Sequence, residues 1–112
     1  MAKFETTLTG YVNTFCEYIK NQILQGSASA SLEDETRMTC GNAECRVMVF
    51  ERYSAIGSNR VSLNVTVLGE DGHLQVAAIT SGGSQAVFFK INTIGEDAFL
   101  DKLREAVESY RG

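Results

Sequence analysis

A chain of 112 residues, of which 44% are hydrophobic and 21% charged, has the composition of a globular protein and is too short for two ordinary domains. Its net charge of −4 weighs against nucleic-acid binding, because contacts to phosphates require a basic surface. No apolar run approaches the ~20 residues that span a bilayer, and the first residues lack the apolar segment of a signal peptide. We therefore expect one domain over residues 1–112, located in the cytoplasm, without a nucleic-acid or membrane partner.

In the first part of the chain, the spacing of hydrophobic residues changes from that of a strand to that of a helix. Residues 3–8 alternate between polar and apolar side chains, which predicts a strand with one buried face. From Tyr11 to Gln25 the apolar residues recur at helical spacing, and Gly26 follows at a position suited to end a helix. This pattern predicts an amphipathic helix whose buried stripe includes Cys16.

The middle of the chain predicts an antiparallel meander with short turns. The predicted features, in chain order, are a weak strand at 28–32, an acidic break at 33–35, a turn at Gly41-Asn42, strands at 45–53 and 61–67, a turn at Asp71-Gly72 and a strand at 74–78. The first two of these strands could also be one bent strand. The acidic break is interpreted as a solvated turn, since the spacing of a calcium-binding loop is absent.

The last part of the chain predicts a strand and then a helix. Val87, Phe89 and Ile91 alternate with other residues as in a strand. A helix then begins at Thr93, which has capping-box spacing to Glu96, or with Gly95 as its cap. The apolar stripe of this helix contains Phe99, Leu100, Leu103, Ala106, Val107 and Tyr110.

The elements together predict the α+β order β-α-β(4–5)-α, in which an antiparallel curved sheet packs on a C-terminal helix. The final helix is expected to bury its stripe on the sheet face that carries Val61, Leu63, Val65 and Val67. This order resembles that of helix-grip and TBP-like folds, in which a curved sheet wraps a long helix. Element order alone implies no function.

Four segments resemble a family of short bacterial proteins that has no known function. They are Glu51-Arg52-Tyr53-Ser54, the run from Gly57 to Val65, the run from Ile79 to Ser84, and Phe88-Phe89-Lys90-Ile91-Asn92. The resemblance covers nearly the whole chain. It implies a domain of unknown function, no activity, and no functional residues.

The cysteines and the single histidine predict no metal, cofactor or catalytic group. If Gly41 to Glu44 form a four-residue loop, Cys40 and Cys45 lie opposite each other, where a reversible disulfide or two inert thiols are the alternatives. The inert thiols are favoured, and the absence of a Cys-x-x-Cys motif weighs against zinc. His73 follows a turn without an identifiable partner for general-base catalysis, so it is interpreted as solvated. We expect a protein that is not an enzyme.

A glycine-rich segment is one candidate for ligand binding. The loop Ser81, Gly82, Gly83 and Ser84 could offer backbone N–H groups to an anion. It lacks the lysine and the following helix of a phosphate-binding loop, and a plain connection between elements is the favoured interpretation.

A second candidate is a surface for self-association. By strand phase, the sheet face opposite the final helix is predicted to carry Arg46, Met48, Phe50, Arg52, Phe88 and Lys90. Aromatic, methionine and arginine side chains on one face are typical of an interface, which predicts a homo-oligomer, most simply a dimer. The alternative is a carrier of a small apolar ligand, with a pocket between the sheet and the final helix lined by Val65, Val76, Phe89 and Leu103.

Overall fold

The computed structural model describes residues 1–53, 60–82 and 89–111, and the side chains of 89–95 lie outside this description. Its five strands are β1 (Lys3–Thr9), β2 (Ser31–Cys40), β3 (Ala43–Tyr53), β4 (Arg60–Glu70) and β5 (His73–Gly82). Its two helices are α1 (Val12–Gly26) and α2 (Phe89–Ser109). The strands form one antiparallel sheet in the order β1-β5-β4-β3-β2, which confirms the α+β class and the C-terminal helix.

Two tight turns set the register of the sheet. Gly41-Asn42 joins β2 to β3 with a φ of 60° at Gly41, and Asp71-Gly72 joins β4 to β5 with φ of 54° and 80°. Positive φ at these positions gives the turns a twist that matches that of the flanking strands. Both predicted turns are therefore confirmed.

The core lies on one face of the sheet, where both helices pack. In β4 the four predicted valine and leucine positions, from Val61 to Val67, are all fully buried. α1 contributes Phe15, Cys16 and Ile19 to the same core, and α2 contributes Phe99 and Leu103. In the parts of the chain described above, no helix is long and apolar enough to cross a membrane.

Two predicted boundaries are wrong. The acidic residues at 33–35 do not break the chain but lie in β2, with a bulge between Leu32 and Asp34. Edge strands tolerate such charges because one side of the strand faces water. Residues 89–91 lie in α2 rather than in a strand, so the helix begins before Thr93. β5 already pairs with β1 on one side and with β4 on the other. It therefore has no free edge with which a further strand could pair.

Candidate functional site

In the described part of the chain, one face of the sheet has no helix packed on it, and we call it the outer face. Side chains of β4 and β5 alternate between buried residues under the helices and more exposed residues on this outer face. Four large hydrophobic side chains of the outer face are between 43% and 56% exposed: Met38, Tyr53, Leu68 and Ile79. An apolar surface of this kind commonly marks a contact with another molecule.

The register arranges the outer face in rows across all five strands. Written from β2 to β1, the rows are Asp34, Val49, Asn64, Ile79, Lys3; then Thr36, Val47, Thr66, Ala77, Glu5; then Met38, Cys45, Leu68, Gln75, Thr7. Within these three rows, apolar side chains are most frequent on β3 and β5, and the charged ones lie on the edge strands β2 and β1. A depression of about 660 Å³ lies between residues of β1, β4 and β5, Thr66 and Ala77 among them, and another of about 280 Å³ lies beside Met38.

The strand phase predicted for β3 is wrong. Arg46 is 2% exposed, and Met48 and Phe50 are fully buried, because they face the helices rather than the outer face. Both sets of alternating residues in β3 are apolar, since Val47 and Val49 stand between them. Period two alone therefore could not tell which set the helices cover. A change of Phe50 to Ser would disrupt the core and could not test an interface.

Of the other predicted interface residues, only Arg52 has a side chain within the description. Arg52 is half-buried on the helix side, with its guanidinium carbon 4.7 Å from the centre of the Phe99 ring. Lys90 belongs to α2 rather than to a strand, and its side chain is outside the description. Phe88 lies outside the described residues. The four residues with described side chains, Arg46, Met48, Phe50 and Arg52, therefore lie on the helix side and not on the predicted surface.

Arg46, which is buried, instead lies at the centre of a charged cluster between α1 and the sheet, and the other members of the cluster are partly or largely exposed. Its Nη1 donates to Oε2 of Glu17 at 3.1 Å and to Oε2 of Glu35 at 3.3 Å, and its Nη2 donates to Asn13 Oδ1 at 2.8 Å. Lys20 Nζ donates to Glu17 at 3.1 Å and to Glu35 at 2.9 Å. The cluster ties α1 to β2 and β3, and its groups are engaged with one another.

Cys16 lies under this cluster and has no reactive character. Burial raises the pKa of its thiol to about 12, although the nearby charge of Arg46 acts in the opposite direction. Because the thiolate is the reactive form of cysteine, a thiol with this pKa stays inert at neutral pH. The prediction that Cys16 belongs to the core is confirmed.

The charged cluster predicts a defined dependence of stability on pH. Hydrogen bonds from Lys20 hold the pKa of Glu17 below its ordinary value of 4.5, and a hydrogen bond to Glu35 holds the pKa of Lys20 above its ordinary value of 10.5. The stability that Glu17 contributes is complete above pH 4.5 and is lost as the pH falls through its folded pKa. The stability that Lys20 contributes is complete below pH 10.5 and is lost as the pH rises through its folded pKa.

Urea unfolding measured from pH 3 to pH 11 checks this dependence. We expect Glu17→Gln to unfold at a lower urea concentration than the natural protein at pH 7, and the difference to shrink below pH 4.5. A difference that stays constant down to pH 3 would contradict the role given to the Glu17 carboxylate.

The four-residue loop that would place Cys40 opposite Cys45 is not formed. The turn between β2 and β3 has two residues rather than four, so Cys40 lies opposite Ala43 and Cys45 lies opposite Met38. All three cysteines are free. His73 is exposed at the start of β5, opposite Glu70 and Thr9.

The described half of the predicted anion loop ends β5. Ser81 and Gly82 are the last residues of that strand, and the Ser81 hydroxyl lies 2.7 Å from that of Ser62 in a hydrogen bond. Gly83 and Ser84 lie outside the described residues. Where side chains are described, no group of three or more His, Cys, Asp or Glu residues is arranged to hold a metal ion.

Comparison with known proteins gives one match to a family. The model of a family described as "Family of unknown function (DUF6054)" matches residues 1–111. No curated protein matches the chain. The resemblance to a domain of unknown function is thereby confirmed.

Proposed function

Since the chain belongs to this family of unknown function, its role has to be inferred from its own surfaces, and we propose that it is a non-enzymatic interaction domain that self-associates through its outer face. One observation carries the proposal: both helices pack on the same side of the sheet, and four large hydrophobic side chains on the other side are about half exposed. Pairing two outer faces would remove these side chains from water.

The size of the outer face suits a dimer. Five strands spaced ~4.8 Å apart, with about ten residues each at ~3.3 Å, cover roughly 800 Å². A stable protein interface buries about 800 Å² on each partner. A second copy of the chain therefore offers a surface of the right area and the same chemistry.

The strand order favours one arrangement of the two copies. β4 is the central strand, with two strands on either side. A twofold axis along β4 places β3 of one copy over β5 of the other, and β2 over β1. Val49 would then face Ile79 of the second copy, and Val47 would face its Ala77. At the edges, Asp34 would approach Lys3 of the second copy, so the arrangement is complementary in charge as well as in apolar surface.

The filled core supports this proposal over the ligand carrier. A carrier of the helix-grip kind would hold its ligand between the sheet and α2. Of the four residues expected to line that pocket, Val65, Val76 and Leu103 are at most 3% exposed, and the side chain of Phe89 lies outside the description. Their side chains pack within the core cluster.

Sedimentation equilibrium at micromolar concentrations tests self-association. We expect a dimer that Ile79→Ser weakens at least about 10-fold. The twofold axis buries the residue twice, and each copy, 44% exposed in the monomer, contributes roughly half of the ~1.5–3 kcal/mol for complete burial. Tyr11→Ser is the matched control, since Tyr11 is a large exposed residue outside the sheet. It should leave the dimer unchanged. A monomeric natural protein would overturn the proposal.

A charge exchange tests the axis separately. Lys3→Asp and Asp34→Lys should each weaken the dimer, and the double variant should recover much of the loss. If Ile79→Ser weakens the dimer but the double charge variant does not recover the lost affinity, the axis along β4 is rejected. The proposal of self-association would still stand.

A further inference from the structure

Three sulfur-containing side chains lie together at one corner of the outer face. Met38 on β2 is directly opposite Cys45 on β3, and Cys40 follows Met38 by two residues, so all three point to the same side of the sheet. The three residues also line the same depression of about 280 Å³. Cys40 is exposed and Cys45 is half-buried, and both residues line this open depression.

We propose that Met38, Cys40 and Cys45 form a binding site for a soft monovalent metal ion, with copper(I) as its cation. Thiolate and thioether sulfur are the ligands that select copper(I) among the metals of the cell. The other residues that line the depression are Thr39, Ala43 and Leu68. They supply neither a carboxylate for a hard cation nor the fourth nitrogen or sulfur ligand of a structural zinc site.

The spacing of the two cysteines suits a metal bridge better than a disulfide. Cys40 lies opposite Ala43, so Cys40 and Cys45 are diagonal neighbours, for which the Cα atoms are ~7–8 Å apart. A disulfide requires a Cα separation of about 4.4–6.8 Å. Two metal–sulfur bonds of ~2.3 Å hold their sulfurs up to about 4.6 Å apart, compared with about 2 Å in a disulfide. The bridge therefore spans the wider pair without moving the strands.

The binding step involves no change of oxidation state. Each cysteine thiol loses its proton to the buffer, and the two thiolates and the Met38 thioether donate electron pairs to the ion. All three ligands come from one hairpin of one chain, so the site needs no residue of a second copy. Because pairing of two outer faces would cover Met38 and Cys45, the titration is carried out at concentrations too low for self-association.

Titration with copper(I) under anaerobic conditions, in competition with a chromogenic copper(I) chelator, tests the site. We expect one ion per chain, with a loss of affinity of at least ~100-fold in Cys40→Ser and in Cys45→Ser, and about 10-fold in Met38→Leu. Substitution of residues that only support a metal ligand already costs about 10- to 100-fold. Cys16→Ala is the matched control, because that thiol is buried with a pKa of about 12, and it should bind as the natural protein does.

The outcomes separate the site from general thiol chemistry. Circular dichroism checks that each variant is folded, and Cys40→Ala gives a second test if the serine variant is not. Copper(I) binding that is equal in all four variants would overturn the proposal, as would tighter binding of zinc than of copper(I). Rapid formation of a Cys40–Cys45 disulfide in the folded protein, detected by mass spectrometry after mild oxidation, would also overturn it.

Discussion

Replacing Arg46 by alanine is expected to destabilise the protein by about 3–5 kcal/mol. Removal of one partner from a buried ion pair costs up to about this much, and here only part of that cost applies, because Glu17 and Glu35 are partly exposed and keep their bonds to Lys20. Arg46 is the most deeply buried member of its cluster and bonds to Glu17, Glu35 and Asn13. Its loss also leaves a space beneath α1, which adds the cost of a cavity. Urea unfolding at pH 7 measures the change in the free energy of unfolding.

Two further variants separate the lost charge from the lost packing. Arg46→Met keeps most of the side-chain volume and should still be destabilised, because Glu17 and Glu35 then share Lys20 as their one remaining cationic partner in the cluster. Adding Glu35→Met should recover part of that loss, since removal of both partners of a buried pair is often close to neutral. If Arg46→Ala lowers the free energy of unfolding by less than about 1 kcal/mol, the cluster does not hold α1 on the sheet.

Leu103→Ala is expected to lower the free energy of unfolding by ~2–5 kcal/mol, because buried apolar surface is lost and a cavity is left. Leu103 lies at the centre of the α2 stripe and is fully buried against the sheet. Leu68→Ala is the matched control, because Leu68 is a leucine of the outer face that is 43% exposed. At concentrations too low for self-association, that change should stay within ~0.5 kcal/mol.

Denaturant melts of the two leucine variants check the layered arrangement. If both variants lower the free energy of unfolding by equal amounts, the outer face is covered in the monomer. If Leu103→Ala lowers the free energy of unfolding by less than about 1 kcal/mol, the packing of α2 on the sheet is contradicted.

Features that depend only on neighbouring residues are predicted correctly from the amino-acid sequence. The helical period of α1, the alternation of β4 and the turns at Gly41-Asn42 and Asp71-Gly72 are all predicted correctly. β4 is unambiguous because only one of its two faces is apolar. A local pattern is sufficient in such cases, since period and turn chemistry fix the conformation before any long-range contact forms.

The tertiary structure decided which of two plausible faces is buried. β3 has apolar residues on both sides, and only the packing of α1 and α2 shows that Met48 and Phe50 are inside. The same packing draws Arg46 into the core, where charged groups from α1 and β2 compensate it. The start of α2 at Phe89 likewise depends on the sheet, because β1 already occupies the edge beside β5. These outcomes depend on partners distant in the sequence, which no local period encodes.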